Sequence, residues 1–196
     1  PRRPEKKARQ AAAKYIPDGY VPSQRPEKPS APAELPQPPS FAREVAKKNH
    51  QINCIIGTTA YSYYDDRRME MVLLANLLGG PSANSRLNQK LREKNALVYA
   101  VDASFTQFAD NGSLLIYFGC EKANLDKCIA LVHEELALLR NKPLSERALR
   151  SARKQLLGQL AVASDNGESQ ALSMAKSMLV FDGILPDDEV RRRIEA

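Results

Sequence analysis

The stretch Leu77-Leu78-Gly79-Gly80-Pro81-Ser82-Ala83-Asn84-Ser85-Arg86-Leu87-Asn88-Gln89-Lys90-Leu91-Arg92-Glu93-Lys94-Asn95-Ala96-Leu97-Val98-Tyr99-Ala100-Val101 orders the rest of the chain around it. An apolar helix end runs into Gly-Gly-Pro, which cannot continue a helix. Ser85 is then placed to cap a short helix whose apolar positions, Leu87 and Leu91, lie four apart on one face. Lys94-Asn95 closes that helix. The run from Ala96 to Val101 has the residue types of a strand. Arg92 falls in the last helical turn and Tyr99 in the following strand. A guanidinium and a phenol delivered by two rigid elements would suit holding a peptide and an oxyanion. The competing reading is structural: Arg92 serves the helix C-terminus, and Tyr99 is a strand aromatic.

Working outward, the strand continues over 96–106, and a second runs over 113–120. Ala109-Asp110-Asn111-Gly112 between them is a hairpin signal, so the two pair antiparallel. Upstream, 51–59 reads as a strand carrying Ile52, Cys54, Ile55 and Ile56. Asp65 or Asp66 then starts a helix with Met69, Val72, Leu73, Ala75, Leu77 and Leu78. Downstream, Leu125, Ile129, Val132, Leu136 and Leu139 repeat at three and four, as an amphipathic helix requires. Ser145 caps a second long helix, striped by Leu149, Ala152, Leu156, Leu160 and Ala163. A third spans about 168–181, stopped by Asp182-Gly183, and Pro186-Asp187 opens a last one. Antiparallel strands followed by consecutive helices predict an α+β fold, an antiparallel β-sheet with long helices packed on one face.

The 196 residues are 43% hydrophobic and 27% charged, enough for one medium domain with an aliphatic core, since Trp is absent. Ten of the 13 prolines fall within residues 1–40, which excludes a packed domain there. A short helix over 6–15 is followed by an extended path over 17–39. A ligand for an SH3-type domain is one reading of this arm; a connector between domains is the plainer one. The net charge of +6 lies in the same region, because residues 1–50 carry 11 Lys and Arg against 5 Asp and Glu. The remaining residues balance, which argues against nucleic acid as a partner. No run is long enough for a membrane span. Cys54, Cys120 and Cys128 follow no metal or disulfide pattern and read as buried thiols. The chain opens Pro-Arg-Arg-Pro and stops in a helical pattern, so it reads as a piece of a longer protein.

The order of strand, helix, Leu-Leu-Gly-Gly, Ser-Arg-Leu-Asn-Gln-Lys-Leu-Arg-Glu-Lys, Leu-Val-Tyr-Ala-Val, hairpin and paired helices resembles the pitrilysin/insulinase-type zinc peptidases. More narrowly, residues 41–196 look like the second, non-zinc half of such an enzyme, as in processing peptidases and their compact bacterial relatives. The resemblance implies half of a clamshell metallopeptidase: an inactive C-terminal domain, truncated at its C-terminus, behind an interdomain linker at 1–40. Zinc would sit in the missing N-terminal half, on an inverted His-x-x-Glu-His motif. His50 and His133, 83 positions apart, do not form that motif, and no metal is expected in this chain. His133-Glu134-Glu135 lacks a second histidine one turn away.

Carried over from the family, Arg92 would hold the backbone or carbonyl oxygens of a peptide substrate. Tyr99 would donate to the carbonyl oxygen as it becomes an oxyanion. Gly79 and Gly80 occupy the place of a substrate-admitting glycine loop, although a plain helix stop explains them equally well. The fragment alone would be inactive, with the N-terminal catalytic half as its partner and a homodimer as a further assembly. The alternative is a non-catalytic structural or regulatory subunit of the same family. The compartment stays open between cytoplasm, which unpatterned thiols fit better, and periplasm.

Overall fold

The computed structural model describes residues 10, 13, 14, 39–48 and 50–195. The expectations for 6–15 and 17–39 therefore fall outside the described residues, except at 10, 13, 14 and 39. Three strands, β1 (Ile52–Ala60), β2 (Val98–Gln107) and β3 (Gly112–Cys120), form one antiparallel sheet in the order β1-β3-β2. The helices are α1 (Arg68–Gly79), α2 (Leu125–Asn141), α3 (Glu146–Ser164), α4 (Gly167–Phe181) and α5 (Asp187–Glu195). The architecture is α+β.

Alternation along each strand decides which side is covered. Ile56, Ile116 and Ala103 stand side by side across the register, as do Cys54, Phe118 and Val101, and they point inward. Against them pack Leu78 of α1, Leu87 and Leu91 of the following segment, and Cys128 and Val132 of α2. Phe118, Leu78, Leu87, Leu91 and Val132 are wholly removed from solvent. Each such side chain contributes roughly 1.5–3 kcal/mol by leaving water. On the other side of the sheet Ile55 stays 65% exposed and Tyr99 61%. The helices cover one face and leave the other open.

Local chemistry accounts for the element ends. Asp65 acts one step before the helix: its carboxylate accepts from the Arg67 N–H at 2.9 Å, and α1 begins at Arg68. The hairpin closes with Phe108 N–H donating to the Asn111 carbonyl at 2.8 Å. Ser145 caps α3 by accepting from the Ala148 N–H, and the Asn166 side chain caps α4 by accepting from Glu168 and Ser169. Asp182 ends α4 in the left-handed conformation at φ 56°, which a short polar side chain tolerates.

The decisive stretch departs from regular helix. Asn88–Glu93 is π-helical, with Lys94 N–H reaching back five residues to the Gln89 carbonyl at 3.0 Å. The Ser85 hydroxyl accepts from the Asn88 side-chain amide at 2.8 Å instead of from a backbone N–H. Ala96 turns the chain at φ 48°, with its N–H on the Arg92 carbonyl and the Leu97 N–H on the Leu91 carbonyl, both at 2.9 Å. The strand consequently starts at Val98, not at Ala96.

The helices α3, α4 and α5 gather around α1. Asn76 of α1 donates to Gln159 of α3 at 2.5 Å, and the Tyr64 hydroxyl donates to the Val180 carbonyl at 3.2 Å. Phe181 meets Tyr63 and Tyr64 in near-perpendicular ring pairs, and the guanidinium of Arg68 lies 4.7 Å from its ring centre. At the other end of α1, Gly79 lies directly on β2: a Cβ there would stand 2.4 Å from the Ala103 nitrogen. A Cβ on Gly158 of α3 would meet nothing within 4 Å. Gly79→Ala should therefore lower the unfolding free energy by about 2 kcal/mol or more. Gly158→Ala should raise it by about 0.5 kcal/mol through helix propensity. Urea denaturation of both variants checks the contrast.

Candidate functional site

Leu87 and Leu91 pin the π-helical segment to the sheet, which leaves its polar residues to two other surroundings. Arg86 and Lys90, one turn apart, both reach Glu135 of α2, whose side chain is only 7% exposed. Lys90 also pairs with Glu134 at 3.2 Å. A buried carboxylate held by two cations is strongly destabilised when either partner is removed, so this network fixes the segment against α2. Arg92 follows Leu91 and is exposed, with its guanidinium on the neighbouring Glu93 carboxylate at 3.0 Å. An exposed pair of this kind contributes little and exchanges readily.

Tyr99 is set by an irregularity. Val98 stands opposite Cys120 and Ala100 opposite Gly119, so Tyr99 is an extra residue in a bulge. Bulges re-aim side chains, and Tyr99 is directed to solvent. Its hydroxyl donates to Glu121 at 3.0 Å. That donation, together with the Glu121 charge, raises the phenol above its ordinary value, so the group keeps its proton. On the open sheet face, the Tyr117 hydroxyl donates to Asn53 at 2.8 Å, beside Ile55.

Arg92 and Tyr99 thus stand at the two ends of one short turn, each engaged with its own carboxylate, and no hydrogen bond joins them. Arg92 is exposed at the end of a segment whose Leu91 enters the core, and Tyr99 is exposed at the bulge of β2. Gly79 and Gly80 are both buried; a Cβ on Gly80 would stand 2.6 Å from the Asn76 carbonyl. Their positions meet a packing requirement. The Arg86–Glu135–Lys90 network is the feature that sequence reasoning missed. Its signal was present: Glu135 falls three residues after Val132 on the buried stripe of α2, where a lone carboxylate needs cationic partners.

His133 is exposed on α2, next to the exposed Glu134 and the buried, paired Glu135. Among the described residues no group of three His, Cys, Asp or Glu side chains is placed to hold a metal. The two histidines, 83 positions apart, do not supply the inverted His-x-x-Glu-His motif. No described helix is long and apolar enough to cross a membrane.

The three cysteines converge from β1, β3 and α2. Cys120 and Cys128 are buried in the same core cluster, and Cys54 packs against it. All three are free. Burial first, and the neighbouring Cys120 second, push the Cys128 thiol up to about 11.

Comparison with known proteins bears on this geometry. The family model described as the peptidase M16 inactive domain matches residues 4–156. An uncharacterized zinc protease of Bacillus subtilis, YmxG, is 27% identical over 150 residues, which cover 76% of this chain and 36% of that protein. An uncharacterized zinc protease of Streptomyces coelicolor is 28% identical over 150 residues, covering 76% and 32%. The chain thus spans about a third of the length of the curated relatives it matches. Among solved structures, a peptidase M16 inactive domain from Pseudomonas fluorescens superposes with a TM-score of 0.64 at 21% identity, covering 74% of this chain and 35% of that one. The periplasmic protease PqqL of Escherichia coli gives 0.56 at 15% identity, covering 76% and 18%. These structures share the fold.

Two outcomes follow from the buried groups. Glu135→Ala should cost about 3 kcal/mol of stability in chemical denaturation, because Arg86 and Lys90 lose their shared carboxylate. The thiol of Cys128 should resist a disulfide reagent at pH 8 in the native protein and react at once in denaturant. Its folded pKa lies above the ordinary 9.0, so its contribution to stability is complete below pH 9 and is lost as pH climbs towards 11. Reagent titration and melting across that window check both statements.

Proposed function

We propose, from the premise that this chain belongs to the peptidase M16 family through its inactive domain, that it forms the substrate-binding, chamber-lining wall of a zinc metalloendopeptidase. The observation that carries this reading is the family match over most of the chain, joined to a sheet that leaves one face open. The zinc chemistry belongs to residues outside this chain, in an N-terminal catalytic half of the same protein, as the relatives' description as zinc proteases suggests.

Within the chain, Arg92 offers a planar fork of donors held by weak exposed pairing to Glu93. A peptide carbonyl or carboxylate would take the place of that neighbour. Tyr99 keeps its proton and would transfer its donation from Glu121 to a carbonyl oxygen that gains negative charge. The π-helical segment below them is fixed by Leu87, Leu91 and Glu135, so the guanidinium would be positioned without ordering the backbone anew.

A second reading, a non-catalytic structural or regulatory domain of the same family, is favoured by one observation. Both Arg92 and Tyr99 already have carboxylate partners, as purely structural residues would. Peptide hydrolysis by the full-length protein separates the two. Under the peptidase reading, Tyr99→Phe should lower kcat by about 100-fold, and Arg92→Ala should raise KM by about 10-fold, with melting temperatures unchanged. Near-normal turnover by both variants would remove the clamp assignment. Absence of hydrolysis by the unmodified full-length protein would favour the structural domain.

A further inference from the structure

The helices α3 and α5 enclose an open groove of about 650 Å³ that no part of the proposed peptide clamp uses. Helical spacing explains its lining. Arg150, Arg153, Lys154, Leu157 and Ala161 recur at three and four along α3, and Arg191 and Glu195 lie four apart on α5. Four cations thus face one carboxylate. The Arg150 Nε donates to the Glu146 carbonyl at 3.3 Å on its own helix. On α5, the ion pairs with Glu189 are made by Arg192 and Arg193, not by Arg191.

A second observation concerns one of the lining residues. The Nε of Arg153 is buried and has no hydrogen-bond partner. That N–H is closed to solvent, so a carboxylate in the groove would meet the outer guanidinium nitrogens of the half-buried Arg153 instead. The apolar atoms of Leu157 and Ala161 line the groove between the cations. From Arg150 to Ala161 the helix runs about 16 Å, the length of roughly five extended residues. A bare phosphate would use the charges and leave the apolar lining unused. An acidic peptide with interspersed aliphatic side chains would use both.

We propose that the groove between α3 and α5 is a docking site for a short acidic peptide segment. Guanidinium groups of Arg153 and Arg191 take its carboxylates, and its aliphatic side chains lie on Leu157 and Ala161. The assignment stands apart from the peptidase reading, since its residues and its test involve neither Arg92 nor Tyr99.

The test titrates the 196-residue chain with a synthetic pentapeptide alternating Glu and Leu, with its Gln counterpart, and with inorganic pyrophosphate, by calorimetry. The acidic peptide should bind at least about 10-fold more tightly than the Gln peptide, and the difference should shrink as salt is added. Arg153→Gln and Arg191→Gln should each weaken it by about 10-fold. Gly158→Glu places a carboxylate in the groove where a Cβ meets nothing within 4 Å, and it should abolish binding while melting stays normal. Should Arg153→Gln fail to fold, Arg191→Gln and Gly158→Glu decide. The proposal is overturned by equal binding of the two peptides or by no binding of the acidic one. Binding that Gly158→Glu leaves intact also overturns it, because the basic residues of 1–50 then carry the effect. Pyrophosphate that matches the acidic peptide and displaces it would make this a phosphate site instead.

Discussion

At Gly79 there is no room for a side chain between α1 and β2: its backbone lies against the Ala103 peptide. Everything downstream inherits that spacing. The chain leaves α1 at the sheet surface, so Leu87 and Leu91 meet the core and Glu135 of α2 comes within reach of Arg86 and Lys90. A residue with a Cβ at that point would push α1 off the sheet and open the contact with Leu78. The two glycines that read as a loop in the sequence are, in space, closely packed points of the fold.

The buried carboxylate has a further consequence. Two cations converge on Glu135, Arg86 from just before the π-helical turn and Lys90 from within it. The geometry that displays Arg92 and Tyr99 is built from departures from regular backbone: a π-helical turn, a left-handed Ala96 and a bulge at Tyr99. Irregular backbone is concentrated where exposed polar groups are presented, while β3 and α2 beneath are regular. The arrangement separates rigidity, supplied by the aliphatic core, from presentation, supplied by the turn.

The two faces of the sheet divide the labour of the molecule. The helix-covered face carries the energy of folding through Phe118, Ile116 and their neighbours. The open face carries Ile55, Tyr117 and Tyr99, groups that a self-sufficient domain would normally cover. The peptidase M16 relatives are a little over twice as long as this chain, since the 150 matched residues make up 36% and 32% of them. The basic groove between α3 and α5 lies in the second helical layer and follows different chemistry: charge without enough counter-charge, not bare hydrocarbon.

Local pattern settled much of this from the sequence alone. The hairpin at Ala109–Gly112, the stripe of α2, the Ser145 cap and the stop at Asp182-Gly183 each depend on residues within a few positions of one another, so the residue order carries them. The family resemblance was legible for the same reason, in one stretch of 25 residues read in register. What the tertiary structure decided was whatever depended on partners distant in the chain. Glu135 pairs with Arg86 across 49 positions, β1 joins β3 across more than 50, and Asn76 meets Gln159 across 83. Periodicity shows that a residue faces inward but not what it will find there, and so the buried ion pairs, the converging thiols and the groove became visible only once the layers were packed.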